Sequence, residues 1–386
     1  MEITGIICEY NPFHTGHKKQ FSMIRQKNPN GAIVCLMSGN YVQRGMPAIF
    51  DKEIRARAAI LSGADLVLEL PVTASLSSAE GFAAEGVRIL GSFCDYLSFG
   101  AESPDASDLL QIAKILISGE FSEHLKKHLA KGISFPAARQ KALEEMECNH
   151  SLIQTPNNIL AVEYCKAILS QKCHMRPEPI LREGNFHALV PDNKNPSATS
   201  LRILLENGES CNDYIPPYAA SVYNNAPVHT IASAERAILY RLRTMTDDEF
   251  EQLPYGTEGL WRKLMKNSRQ LNNLEEIINT TKSKRYTRTR IDRMIMCAFL
   301  GLTQENIATP APYARVLALN DTGRNILLKA RQHGNFPNIG EKIDNPYQVI
   351  ENRCDDLYGL FTVSAPEPSG ITKDRRIFYQ NSTHHN

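Results

Sequence analysis

His14 and His17 flank Thr15-Gly16 directly after an apolar run that ends in a proline turn, Gly5-Ile6-Ile7-Cys8-Glu9-Tyr10-Asn11-Pro12-Phe13. Three residues apart on the first turn of a helix, the two imidazoles fall on one face. A helix N-terminus offers unpaired N–H groups and a partial positive charge, both suited to phosphate. Gly16 leaves room for the backbone to approach a ligand closely. Two imidazoles placed there can donate to phosphate oxygens and stabilise the charge that builds as an α-phosphate is attacked. Such transfers rest on positioning and electrostatics, so no covalent nucleophile is required. Histidines capping a surface helix, or a metal pair, are the plainer alternatives. The position between a first strand and a first helix favours nucleotide binding.

The elements that must hold this motif follow from hydrophobic periodicity. Ile3 to Cys8, Ala32 to Met37, Asp65 to Leu70 and Asp95 to Phe99 read as strands, with Gly16 to Gln26, Lys52 to Leu61 and Ser77 to Leu90 as helices between them. Parallel strands need crossovers of helical length, so the alternation predicts an α/β fold with a Rossmann-like doubly wound parallel sheet. Ligands of such sheets bind beyond the carboxyl ends of the strands. Further helices are expected at 108–117, 135–146, 158–170 and 199–206, with a short strand at 179–182. With 386 residues, two domains are expected: a nucleotide-binding domain over 1–220 and a mainly helical, basic domain over 221–386, with a small α/β piece from Ala314 to Leu319.

Several residues outside the motif carry chemistry. Gly100 follows a strand at the edge where the ligand belongs, although a plain turn glycine is the simpler reading. Asn157 and Asn158 sit at a helix start; one amide suffices as a cap, leaving Asn157 to contact adenine or ribose. Arg182 ends an apolar strand, where a charge is expensive without an anion such as phosphate. Ser38, Gly39, Asn40 and Glu69 end strands and could line a second substrate's pocket. His124 and His128, four apart on a helix, have no third ligand near them in sequence, so a solvated face is expected and no metal site.

Charge is the second signal. The formal net charge is +1, yet Trp261 to Arg293 holds ten Lys or Arg against three acids, an excess of +7 over a remainder at −6. Within it, Lys282, Lys284, Arg285, Arg288 and Arg290 surround Tyr286. Cations of this density neutralise phosphates, and the tyrosine can stack on an unpaired base, so RNA contact is the better reading than a solvated helix face. No apolar run approaches the roughly 20 residues of a membrane-spanning helix, and the start lacks a signal-peptide pattern, so a cytoplasmic location with no membrane partner is expected. Nine cysteines without a CxxC pair read as buried thiols.

The run through His17 resembles the HxGH signature of the nucleotidylyltransferase superfamily. The wider pattern is similar to the bacterial tRNA(Met) cytidine acetate ligases: Met37-Ser38-Gly39-Asn40, Gln43-Arg44-Gly45, Leu66 to Pro71, Phe99-Gly100, Pro156 to Leu160, Arg182-Glu183-Gly184, Ser197-Ala198-Thr199 and Ser283 to Arg290. The resemblance implies an ATP-dependent ligase that activates acetate as acetyl-adenylate and passes the acetyl group to N4 of the wobble cytidine of elongator tRNA(Met). It implies ATP, with Mg2+, bound by Ile7, Cys8, Glu9, Tyr10, Asn11, Pro12, Phe13, His14, Thr15, Gly16, His17, Lys18, Lys19 and Gln20, and by Gly100, Asn157, Arg182 and Glu183. His14 and His17 are then the catalytic pair. The superfamily's second signature is matched by Ser197 to Arg202, which implies β,γ-phosphate contacts from Ser197, Thr199 and Arg202. A small-molecule adenylyltransferase or a pantothenate-synthetase-like ligase would share the motif but has no use for a cationic second domain. A non-catalytic RNA-binding protein would have no need of the two histidines.

Overall fold

The computed structural model describes residues 1–386 apart from 104, 134, 147–149, 154, 183–190, 193–195, 367, 369–374 and 382–386. Among the described residues nine strands are β1 (Ile3–Cys8), β2 (Ala32–Ser38), β3 (Tyr41–Val42), β4 (Met46–Pro47), β5 (Leu66–Leu70), β6 (Tyr96–Ala101), β7 (Arg176–Leu181), β8 (Val316–Asn320) and β9 (Phe378–Gln380). Seven form one sheet in the order β7-β6-β1-β2-β5-β8-β9. The first five are parallel to their neighbours, as the alternation of runs predicts.

Every residue of β1, β2 and β5 is buried, because helices cover both faces. Side chains alternate between the two. Ile3, Ile7, Val34, Leu36, Leu66 and Leu68 lie on the face covered by α3 (Ala79–Leu90), α4 (Pro156–Ser170) and the helix Asp321–Ala330. Ile6, Cys8, Ile33, Cys35, Met37 and Val67 pack on α1 (Thr15–Lys27), α2 (Lys52–Leu61) and α5 (Ala198–Glu206). After β1 the chain moves to β2 and β5, then returns to place β6 on the other side of β1. The crevice above β1 and β6 is the switch point at which ligands of such sheets bind.

The sheet departs from the expected pattern at its far edge. β8 runs antiparallel to β5, and β9 parallel to β8, so the sheet is mixed and takes two strands from beyond residue 221. A cut at residue 220 therefore does not separate the two bodies. The physical reason is the exposed edge of β5, whose unpaired backbone groups β8 satisfies. A third core belongs to a helical body that includes α6 (Glu235–Thr244), α7 (Leu274–Thr281), α8 (Arg288–Leu300) and α9 (Tyr347–Tyr358).

That body is riveted to the sheet by a buried charge cluster. Lys52 Nζ lies 2.8 Å from Glu69 and 2.6 Å from Asp355, and Arg315 meets Glu69, Glu351 and Asp355 at 2.7, 2.8 and 3.0 Å. Asn40 donates to Asp355 at 3.2 Å. Glu69 and Asn40 are thus committed to holding α9 against the sheet, which corrects their assignment to a substrate pocket. The eight described cysteines are free. Among the described residues no helix is long and apolar enough to cross a membrane.

Candidate active site

The motif folds as a strand end, a tight turn and a helix start. Tyr10 turns the chain with a left-handed backbone (φ 45°), and α1 begins at Thr15 with His14 as its N-cap. Small polar side chains usually do this capping. Here the imidazoles do it. His14 Nδ1 accepts from the Gly16 N–H at 3.1 Å, and His17 Nδ1 accepts from the His14 N–H at 3.2 Å. The rings stack with centroids 3.8 Å apart, backed by Tyr10 and Phe13. A Cβ on residue 16 would lie 2.9 Å from His14 Cε1, so glycine is needed for the stack itself.

With each Nδ1 accepting a backbone N–H, a neutral ring carries its proton on Nε2. Electrostatics keeps both rings neutral. Burial, then the nearby Arg182 and Arg202 guanidiniums, lowers His14 to about 3. Burial, His14 and Arg182 hold His17 well below the ordinary imidazole value. The pair is therefore a fixed set of two Nε2–H donors at neutral pH. Thr15 Oγ1, on the same first turn, is buried without a hydrogen-bond partner among the described residues, as is Ser38 Oγ at the end of β2.

The sequence-predicted residues across the crevice are joined in one network. A Cβ on Gly100 would collide with the Arg182 stem, so the glycine lets that side chain cross the end of β6. Arg182 donates to Asn157 Oδ1 at 3.0 Å, and Asn157 Nδ2 donates to Glu102 at 2.7 Å. Glu102 also accepts from Thr155 Oγ1 and the Asn158 N–H, at 2.8 and 2.9 Å. Asn158 is the cap-like amide, accepting from the Glu102 and Ser103 N–H groups. Arg202 donates to the Asn11 carbonyl at 2.7 Å and to Thr199 Oγ1 at 3.1 Å, placing α5 beside the motif. Ser197 Oγ caps α5 by accepting from the Ser200 N–H at 3.0 Å. Glu183 lies outside the described residues.

Other members of the predicted stretch serve the scaffold through their side chains. Ile7 and Cys8 are core residues of the sheet. Glu9 accepts from the Gln43 N–H at 2.8 Å, Asn11 Oδ1 from the Ile49 N–H at 2.7 Å, and the Phe13 N–H donates to Tyr223. Lys18 reaches away, to the Ser62 carbonyl at the far end of α2, at 2.8 Å. Pro12 is buried and Lys19 exposed, while Gln20 donates to Ser98 Oγ at 3.3 Å.

Two organising residues escape sequence reasoning. Arg55, fully buried, donates to the carbonyls of Glu9, Ser38, Phe50 and Gly39, tying the carboxyl ends of β1 and β2 together. Two arginines, Arg55 and Arg57, within the otherwise apolar Ile54 to Ile60 run were the available signal. Glu102 is the other, one residue past β6. His124 and His128 both face Glu145 on the next helix, and His128 is buried, so the expected solvated face does not hold for His128.

The basic run lies at the start of α8. Lys282, Lys284, Arg285 and Arg288 are exposed. Arg285 pairs with Glu258 and Arg288 with Glu275, each at 2.6 Å, and Arg290 holds the Tyr255 carbonyl at 2.8 Å. The Tyr286 hydroxyl donates to the Glu258 carbonyl at 2.6 Å. The hairpin β3–β4 links this region to the motif: Gln43 touches Glu9 at one end and accepts from Arg293 at 3.3 Å at the other.

Sheet order, switch-point crevice and paired histidines define a nucleotidyl transferase, and the chain belongs to the HIGH Nucleotidyl Transferase family, whose model matches residues 1–368. Within that class it falls among the tRNA(Met) cytidine acetate ligases. The Clostridium novyi enzyme of that name is 39% identical over 357 residues, covering 87% of this chain and 89% of the relative. That of Clostridium acetobutylicum is 35% identical, covering 89% and 91%. The crystal structure of apo Thermotoga maritima TmcAL superposes with a TM-score of 0.91 at 27% identity, covering 99% of this chain and all of the other. The same protein bound with alpha-thio ATP gives 0.88 over the same spans.

Proposed function

We propose that this chain activates acetate with ATP and transfers the acetyl group to the wobble cytidine of elongator tRNA(Met). The observation that carries this reading is the neutral, stacked His14–His17 pair just past the carboxyl end of β1, whose Nδ1 atoms are held by backbone N–H groups so that each Nε2 carries the proton. In the first step an acetate oxygen attacks the α-phosphorus of ATP, and the bond to pyrophosphate breaks. The two imidazoles donate to the equatorial oxygens, and Arg182 and Arg202 offset the leaving group's charge. Thr15 and the glycine at 16 take the phosphates at the α1 N-terminus, and Asn157 faces the nucleoside side. Mg2+ would arrive on the triphosphate, keeping its waters as it does at phosphate sites; no cluster of three metal-ligating side chains stands among the described residues.

In the second step the N4 amine of cytidine attacks the acetyl carbonyl carbon and AMP leaves with the electron pair. The exposed cations at 282–290 hold the RNA, and the hairpin carrying Gln43 couples that face to the motif. Relatives named for this activity, sharing most of their length with the chain, support the reading. Its test is acetate-dependent exchange of labelled pyrophosphate into ATP by the purified protein without tRNA. Exchange that needs acetate supports the adenylate step. Turnover indifferent to acetate points to a small-molecule adenylyltransferase.

A further inference from the structure

Beside the basic run lies a cavity that the two-step chemistry leaves unused. It measures about 160 Å³ and sits between the β3–β4 hairpin and helices α6, α7 and α8. Met46, Ile231, Leu274, Ile278 and Ile295 make its walls. A cavity of roughly 150 Å³ with apolar walls holds one six-membered aromatic ring. This one is not wholly apolar. Asp292 lines it, largely buried, and the nearest cationic atom, Arg288 Nε, is 3.7 Å away, beyond hydrogen-bond reach. At the rim Arg288 is held by Glu275 through two hydrogen bonds of 2.7 and 2.6 Å, which leaves the mouth polar.

The cavity's position narrows its occupant. Gly45, in a left-handed conformation (φ 79°), lets the hairpin lie against the backbone of Asp292 and Arg293, where any Cβ would collide. Two residues earlier, Gln43 binds Glu9 of the nucleotide motif. A ligand in the cavity is therefore one hairpin away from the adenylate site and directly beside Arg288. Apolar walls take a flat ring, a buried carboxylate accepts from an exocyclic amine as it does from cytosine N4, and adjacent cations take the phosphates on either side. Unstacked bases of RNA loops are read by burying the ring and pairing its edge.

Building on the RNA-acetylating reading above, we propose that this cavity receives an unstacked, amine-bearing nucleobase of the tRNA loop, a neighbour of the cytidine that is acetylated. The base acts as an anchor, and its docking fixes which cytidine reaches the adenylate.

The test is a cycle between a plug and a missing base, read as tRNA affinity and as kcat/KM for acetylation. Ala232, exposed at the cavity wall, is replaced by tryptophan to fill the space, with Ala232→Ser as the control that does not. Each protein is assayed with unmodified tRNA(Met) and with the same tRNA made abasic, in turn, at each nucleotide flanking the cytidine. Ala232→Trp should lose about tenfold in tRNA affinity, the range of one buried base, while acetate-dependent pyrophosphate exchange stays at the wild-type rate. One abasic tRNA should cost the wild type the same factor and cost Ala232→Trp nothing further. Equal losses for both proteins at every abasic position, or a plug without effect on tRNA, overturn the proposal. A wild type that binds tRNA but acetylates none would instead remove the reading on which it rests, a separate outcome because affinity is read independently of product.

Discussion

The nucleotide crevice and the basic face handle charge in opposite ways. In the crevice, polar atoms are committed to fixed partners: both Nδ1 atoms to backbone N–H groups, Arg182 to Asn157, Arg202 to Asn11, Arg55 to four carbonyls. On the basic face, Arg285 and Arg288 rest on Glu258 and Glu275 in exposed pairs that contribute little to stability. The first arrangement is preorganised, so the geometry that stabilises developing charge costs little reorganisation at the moment of reaction. The second is exchangeable: under the proposed function RNA phosphates would displace carboxylates, which would lower affinity and salt dependence below what ten cations suggest. On the proposed function, chemistry is built into the sheet and substrate capture is left to a surface that can let go.

The sharpest way to break this contrast is His17→Ala. It removes one donor and the stack on His14, and should lower acetate-dependent pyrophosphate exchange by roughly 10²- to 10³-fold. Affinity for tRNA, read by filter binding, should stay within about twofold, as expected for distant sites. A parallel loss of both would mean that the two regions are not separate. Gly100→Ala comes next. Its Cβ displaces the Arg182 stem, so KM for ATP should rise by about tenfold, the cost of one charge-assisted hydrogen bond, with the melting temperature nearly unchanged. An unaltered KM would remove Arg182 from ATP binding.

Arg285→Ala with Arg288→Ala should weaken tRNA binding by about tenfold and flatten its salt dependence by less than about two units, because both cations begin paired. Glu258→Gln sharpens the point. Freed of its competitor, Arg285 should bind tRNA about two- to threefold more tightly. Weaker binding would show that the carboxylate aims the guanidinium.

The smallest effect is on stability. His14 is held at about 3, His229 at about 4, and His17 well below its ordinary value, in each case mainly by burial. Between roughly pH 6.5 and 4 the unfolded chain binds protons that the folded chain refuses. The contribution of these three histidines is therefore full above about pH 6.5 and falls as pH falls through that window, outweighing the opposite trend of Glu53 and Asp292, whose carboxyls burial raises to about 7 and about 6. Differential scanning calorimetry should show a lower melting temperature at pH 5 than at pH 7; a flat profile would contradict neutral, buried rings.

The strands β1, β2, β5 and β6 and the helix Lys52–Leu61 were legible because they are buried on one or both faces and their composition says so locally. The motif was legible because its order, strand, turn, helix, carries the mechanism. What stayed hidden is non-local. β8 pairs antiparallel with β5 across some 250 residues of chain, and no periodicity records an edge waiting for a partner. Glu69 and Asn40 stand at strand ends, where ligands bind, yet Lys52, Arg315 and Asp355 claim them from three separate segments. Lys18 lies within the motif but follows His17 by one residue, about 100° round the helix, and its long side chain reaches the Ser62 carbonyl instead. Glu258, which pairs with Arg285, lies three residues before the stretch Trp261 to Arg293 that carries the excess of +7, so the local charge in sequence overstates the charge in space.

The central claim, acetyl transfer from an adenylate made in the crevice to a cytidine held on the basic face, is tested most directly by one product. The purified protein is incubated with ATP, Mg2+, labelled acetate and unmodified tRNA(Met), and the digested nucleosides are weighed by mass spectrometry. The account predicts label in a single acetylated cytidine, formed with one AMP per acetyl group and absent with His17→Ala. AMP released without labelled cytidine in the presence of bound tRNA would contradict it.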